Sequence, residues 1–227
     1  MDRLAGAQNK SWEVSVAEAR MLQDKLAAEV VARPLIGPVR RIAGVDVSVR
    51  GGRCRAAIVV MDYPGCTVQA AVSAQQRVTW PYVPGLLAFR EIPPIMQAWE
   101  KLHPVPDVIM VDGHGRAHIR RCGLACHVGV MLKIPTIGVA KRRFVGHHED
   151  PGTDKGSWVP LTDSDTGELL GAVVRTRSHV SPVFVSIGHA ITLKESIALT
   201  LRCAVRYRLP EPTRQAHLES RRWNLEG

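Results

Sequence analysis

Val108-Ile109-Met110-Val111-Asp112-Gly113-His114-Gly115-Arg116-Ala117-His118 is a short apolar run that stops on an aspartate and passes into a glycine-punctuated loop with two histidines. A run of this length, rich in β-branched residues, reads as a strand buried on both faces, as in parallel sheets. In open parallel sheets, ligands and chemistry gather at the carboxyl ends of the strands. Asp112 stands at such an end, and Gly113 and Gly115 leave the backbone free to turn where a substrate would approach. On spacing alone, an aspartate that starts a turn or caps a helix fits equally well. The surroundings must decide.

Upstream, Arg41 to Arg50 alternates as a strand with Val45 and Val47 on one face and Gly44, Asp46 and Ser48 on the other. A mid-strand carboxylate between valines is costly unless paired or bound to a cation. Gly51-Gly52 is a hairpin signal. Arg55 to Met61 then reads as a second strand, Pro64-Gly65 as a turn and Thr67 to Val78 as a third strand, so this part is an antiparallel meander. Before it, Ser11 to Val31 has the period of an amphipathic helix, with Val14, Ala17, Met21, Leu22, Leu26 and Val30 on its apolar face. Between meander and central run lies Trp80-Pro81-Tyr82-Val83-Pro84-Gly85, whose two prolines stiffen an apolar tip that cannot join a sheet. Such a tip can wedge between nucleic-acid bases or fold its tyrosine onto the core. Leu86 to Leu102 reads as helix in two pieces, broken at Pro93-Pro94, with Glu91 just before the break.

Downstream, Arg121 to Leu132 reads as a helix and Pro135 to Ala140 as a further short strand running into Lys141-Arg142-Arg143. Lys141 thus falls at a strand end beside that of Asp112. Phe144 to Asp165 is polar and reads as a long mobile loop or insertion. Leu169 to Thr176 and Val183 to Ile187 read as strands, and Thr192 to Arg206 as a helix. Thr213 is placed to cap a final short helix bearing Arg214 and His217.

The 227 residues suit one domain, here 1–227. Thirty Lys and Arg against 21 Asp and Glu give a formal net charge of +9, an excess that favours a polyanionic partner, usually nucleic acid. A charged surface that only aids solubility is the bland alternative. Five cysteines without a Cys-x-x-Cys pair argue against a zinc site and for reduced thiols, which points to a cytoplasmic setting. The stretch holding Asp2, Arg3 and Lys10 lacks the apolar segment of a signal peptide, and no run approaches the ~20 apolar residues that span a bilayer. No Gly-x-Ser-x-Gly elbow supports a serine hydrolase. No phosphate loop supports nucleotide-driven work. His114 and His118 are four apart, but Gly115 speaks against a helical zinc pair; His118 reads better as a phosphate contact or a hydrogen-bond partner in the loop.

If the sheet brings Asp46, Glu91 and Asp112 together, three carboxylates repel unless cations neutralise them. Hard oxygen ligands suit Mg2+ or Mn2+. Two such ions about 3.5–4 Å apart activate water and stabilise the leaving oxygen in phosphodiester cleavage.

Taken in order, Gly44-Val45-Asp46-Val47, Pro81-Tyr82-Val83-Pro84-Gly85, Phe89-Arg90-Glu91, Val111-Asp112-Gly113-His114-Gly115, Gly138-Val139-Ala140-Lys141 and Tyr207-Arg208-Leu209-Pro210-Glu211-Pro212-Thr213-Arg214 resemble endonuclease V, the deoxyinosine 3′-endonuclease family of DNA repair. The resemblance covers nearly the whole chain. It implies an α/β fold of the ribonuclease H-like type, a mixed sheet whose antiparallel three-stranded meander is followed by parallel strands with flanking helices. It also implies that Asp46, Glu91 and Asp112 form a magnesium site (manganese substituting), with His217 as a further ligand or a supporting contact. Lys141 would steady the attacking water or the phosphate. Tyr82, with Pro81, Val83 and Pro84, would fill the gap left by an extruded base. Gly113 and Gly138 would line the pocket for that base, and His118 and Arg214 would contact the DNA. The implied reaction is hydrolysis of the second phosphodiester bond 3′ to deoxyinosine in DNA with deaminated bases, leaving 3′-hydroxyl and 5′-phosphate ends. An unpaired base costs less to extrude, which favours lesions. The expected state is a monomer away from membranes. Two rivals remain: an inosine-specific endoribonuclease of the same fold, separated by contacts to the 2′-hydroxyl, and a binding protein without catalysis, against which the intact acids argue.

Overall fold

The computed structural model describes residues 14–223; the residues around Asp2, Arg3 and Lys10, and the expected helix start at Ser11, lie outside them. The strands are β1 Arg41–Arg50, β2 Arg53–Asp62, β3 Val68–Arg77, β4 Val108–Val111, β5 Thr136–Ala140, β6 Trp158–Thr162, β7 Leu169–Val174 and β8 Val183–His189. The helices are α1 Val16–Glu29, α2 Ala88–Trp99, α3 Leu124–Leu132, α4 Leu193–Cys203 and α5 Glu211–Ser220. All eight strands form one sheet in the order β3-β2-β1-β4-β5-β8-β7-β6. β1 to β3 are the expected antiparallel meander, and β4 and β5 run parallel to β1. The remaining strands are antiparallel to their neighbours, so the parallel part is limited to β1, β4 and β5.

Period-two alternation sends the apolar residues to two cores. Val45, Ile58, Ile109 and Val111 pack with Ile92 and Ile95 of α2 and Val128 of α3 on one face. Ile42, Val59, Met110 and Ile137 pack with Ile197 and Leu199 of α4 and Ala216 of α5 on the other. The result is helix, sheet, helix. Gly44 lets α5 approach: a Cβ there would collide with the Pro212 carbonyl. No helix among the described residues is long and apolar enough to cross a membrane.

Several elements depart from expectation. α1 is capped by Ser15, whose hydroxyl oxygen accepts from the Glu18 N–H, and it buries Ala19 and Gln23 while Met21 stays 59% exposed. The contact stripe is therefore rotated from the apolar one, because a buried polar Gln23 anchors it. α2 runs unbroken through Pro93 and Pro94, both buried. Interior prolines cost a helix about 3 kcal/mol, which here is offset by a face that also buries Phe89, Ile92, Ile95 and Ala98 against the sheet. α3 begins at Leu124, since Arg121 is left-handed at φ 53°. α5 begins at Glu211, with Thr213 inside its first turn and its hydroxyl donating to the Pro210 carbonyl at 3.0 Å. The 144–165 stretch is not a structureless loop: β6 pairs with β7, and His147 bridges Thr162. Trp158, Val159 and Leu161 supply its strand propensity, and Pro160 is tolerated because β6 is the sheet edge.

Candidate metal and nucleic-acid site

Three neighbouring strands carry charge to the same end of the sheet. Asp112 follows β4, its N–H donating to the Val45 carbonyl at 2.9 Å, which sets it beside Asp46 of β1. Lys141 follows β5 and its ammonium donates to Asp112 Oδ2 at 2.5 Å. α5, seated on Gly44, adds His217, whose Nδ1 lies 3.3 Å from Asp46 Oδ2 and 3.9 Å from Asp112 Oδ2. One ligand atom from each of Asp46, Asp112 and His217 lies within 4.8 Å of the others. Ser220, one turn beyond His217, donates its hydroxyl to Asp46 Oδ2 at 2.5 Å, and Ser48 Oγ donates to the Ser220 carbonyl at 2.5 Å. The last turn of α5 is thereby fastened to β1.

Glu91 reaches the same neighbourhood from α2 without joining the tight group of three. It is 9% exposed, and burial first, then the charges of Asp46 and Asp112, pushes its pKa up to about 8 against the opposing pull of Arg90. Burial also raises Asp46; the Ser220 hydroxyl and His217 oppose that rise, and Asp112 adds to it. Carboxylates raised by burial and by one another are those whose ionised forms a divalent cation would stabilise. Two carboxylates with an imidazole, and a third acid in electrostatic range, form a donor set that suits a hard cation with part of its water shell retained.

Asp112 and Glu91 also open into a cavity of about 240 Å3 walled by Gly113, Leu124, His118 and Phe144 and rimmed by residues 82–85. This is below the ~300–1,000 Å3 of sites for drug-sized ligands and is suited to something small. The rim is rooted at both ends. Trp80 is buried with its indole N–H donating to the Val14 carbonyl at 2.8 Å. The Gly85 carbonyl accepts from Gln23 Nε2 and Arg120, each at 3.0 Å. Between these anchors Tyr82 is 67% exposed; it projects rather than folding onto the core.

His118 is 6% exposed, and its Nδ1 accepts from the Arg120 N–H at 3.2 Å. Burial, with Arg120 and His114 beside it, depresses its pKa to about 4. At neutral pH it is uncharged, so it acts there as a hydrogen-bonding group rather than as a cation. Gly138 sits one layer back from the cavity wall. It does not line the cavity but lies beneath the 113–115 turn, where a Cβ would meet the Gly115 nitrogen and the His114 carbonyl carbon. Gly113 does line it. Arg214 is held by Glu211 at 2.7 Å and stacks 4.5 Å over the Tyr207 ring, leaving the site to His217 on the same helix. Phe144, 5.2 Å from the His118 ring and 5.6 Å from that of His114, Gln23 and Ser220 are site residues that the sequence did not single out. Only Ser220, a helical turn from His217, left a usable signal.

A family model described as Endonuclease V matches residues 24–218. A curated protein named Endonuclease V from Roseiflexus castenholzii is 44% identical over 205 residues, covering 90% of this chain and 91% of that protein. The crystal structure of the Endonuclease V from Streptomyces avermitilis superposes with a TM-score of 0.88 at 44% identity, covering 93% of this chain and 94% of the other. The structure of Ciona intestinalis Endonuclease V in complex with a 24mer DNA containing an inosine followed by a ribo-adenosine superposes with a TM-score of 0.80 at 28% identity, covering 91% and 96%.

Proposed function

The chain belongs to the endonuclease V family, and from that premise we propose that it is a metal-dependent DNA repair endonuclease acting on deaminated bases, chiefly deoxyinosine. It hydrolyses the second phosphodiester bond 3′ to the lesion and leaves 3′-hydroxyl and 5′-phosphate ends. The observation that carries this reading is the Asp46–Asp112–His217 group beside a small cavity whose rim presents an exposed tyrosine. The Ciona relative, bound to inosine-containing DNA, supports the substrate class.

Asp46, Asp112 and His217, with Glu91 behind them, would hold Mg2+ or Mn2+. The bound ions supply charge neutralisation at the phosphate and a water of lowered pKa. Lys141 at Asp112 orients that carboxylate and offers an ammonium to a phosphate oxygen. Tyr82, stiffened by Pro81 and Pro84 and flanked by Val83, fills the stack as the base leaves. The extruded base enters beside Gly113, where neutral His118 supports the wall and can hydrogen-bond without adding charge. Arg214 contacts DNA from α5, and a monomer suffices for all of these roles. Recognition in one cavity and cutting at a neighbouring group separates the bound base from the cleaved phosphate, so the lesion stays in the nicked strand.

The test is a nicking assay on end-labelled duplex carrying one deoxyinosine, with magnesium, with chelator and with Asp46→Ala. Magnesium-dependent cutting at the second linkage 3′ to the lesion, lost in the variant, is expected. The Ciona oligonucleotide carries a ribo-adenosine after its inosine, which keeps an inosine-specific endoribonuclease as a second reading. Cutting of inosine RNA with no cutting of the duplex would select it.

A further inference from the structure

A second depression, of about 530 Å3, begins at the acidic group. Asp46 and His217 form its near wall, and it continues along Val47–Arg50 to Arg221 and Trp223. Asp112 belongs to the cavity rimmed by Tyr82, Asp46 and His217 to this one, and the three side chains are mutually within 4.8 Å. The two depressions therefore adjoin across the carboxylates.

Charge marks the second as more than a crevice. Most nearby arginines are answered by acceptors: Arg214 by Glu211, Arg55 and Arg222 by Glu219, and Arg208 by the carbonyls of Lys141 and Pro182. Arg50 and Arg221 are exposed, and among the described residues neither side chain has a hydrogen bond or an ion pair. Both edge the trough, and Trp223 shares its wall. Unanswered guanidinium groups beside an indole are the equipment with which proteins track a single strand, cations on phosphates and a ring against a base.

We propose that this trough holds the DNA strand on the 3′ side of the cut, with Arg50 and Arg221 on its phosphates and Trp223 against a base. The proposal rests on the reading above: with the lesion base in the Tyr82 cavity and a phosphate 3′ to it at the carboxylates, the strand that continues past His217 enters the trough. The enzyme then has a footprint of fixed polarity, gripping the lesion upstream of the cut and the 5′-phosphate product strand downstream.

The test measures kcat/KM on single strands with one deoxyinosine, a constant 5′ flank and 3′ flanks of two to eight nucleotides. In the wild type the value rises as the 3′ flank lengthens. In Arg50→Ala/Arg221→Ala and in Trp223→Ala the gain is reduced about tenfold or more on long flanks, with little change on the shortest. Trp223→Phe retains most of the gain. The double arginine variant also lowers the salt slope of long-flank binding by about 1.4, two contacts at roughly 0.7 each. Losses that are equal at every 3′ length, or that follow the 5′ flank, overturn the proposal. A wild type that does not discriminate deoxyinosine from deoxyadenosine overturns the lesion reading instead. The trough is then judged on lesion-free single strands by fluorescence anisotropy: weaker binding by the variants upholds it as a strand-binding site, and unchanged affinity overturns it.

Discussion

Ser220 shows how much of this site is carried by a side chain outside the donor group. Its hydroxyl donates to Asp46 while its carbonyl accepts from Ser48, so it both aims a carboxylate and holds the helix that bears His217. Removing a group that orients a metal ligand costs 10–100-fold in metal affinity. Ser220→Ala should therefore raise the magnesium concentration for half-maximal nicking by that factor with the fold intact, as read by circular dichroism. His118 gives a pH prediction. Its pKa is about 4 in the folded protein and ordinary, near 6.5, in the unfolded chain. Between those values the unfolded chain binds more protons, so this residue's contribution makes stability rise with pH from about 4 to 6.5 and level off above, by an amount on the order of 3 kcal/mol. Urea unfolding across that range should show a smaller rise in His118→Gln. At this scale the sequence was informative where a residue was out of place. Asp46 between valines and Asp112 at a strand end announce themselves because burying a carboxylate is costly. Phe144 and Gln23 do not, because an aromatic in a polar stretch and a glutamine on a surface helix are ordinary until their neighbours are known.

α5 is the element on which the site turns, and its position depends on Gly44. Gly44→Ala would press a methyl group into the Pro212 carbonyl, and overpacking of this kind costs about 1–3 kcal/mol or more. The expected outcome is a lowered unfolding midpoint together with weaker magnesium binding, since His217 and Ser220 move with the helix. The rim loop behaves differently. Tyr82 is exposed and its anchors are Trp80 and Gly85, so Tyr82→Ala should leave the midpoint unchanged. It should slow nicking of duplex more than of single strands, where no stack has to be filled. The meander was legible because alternation and two turn signals coincide there. The continuity of α2 through Pro93 and Pro94, and the pairing of β6, were not legible: in both, packing against partners distant in sequence outweighs the local rule.

For the whole molecule, the cluster of acids predicts that a bound cation would stabilise the folded chain. A cation that binds the folded chain alone stabilises it by about 2.7 kcal/mol at a hundredfold excess over its dissociation constant, which for a domain of this size corresponds to roughly 5–10 °C. Magnesium should raise the thermal midpoint in a concentration-dependent manner and chelator should reverse it, with the effect largely absent in Asp46→Ala. The sheet order itself carries a consequence in time. Asp46 lies in β1, the first strand of the meander, while Ser220, its hydroxyl partner, comes 174 residues later. At about 5–20 residues per second, translation leaves roughly 10–35 seconds between the two. During that interval the emerging chain can assemble the meander, but it has neither imidazole nor hydroxyl for the first carboxylate. With the site proposed above, a nuclease laid out in this order would be disarmed on the ribosome by its own topology and would become competent only when the last helix docks.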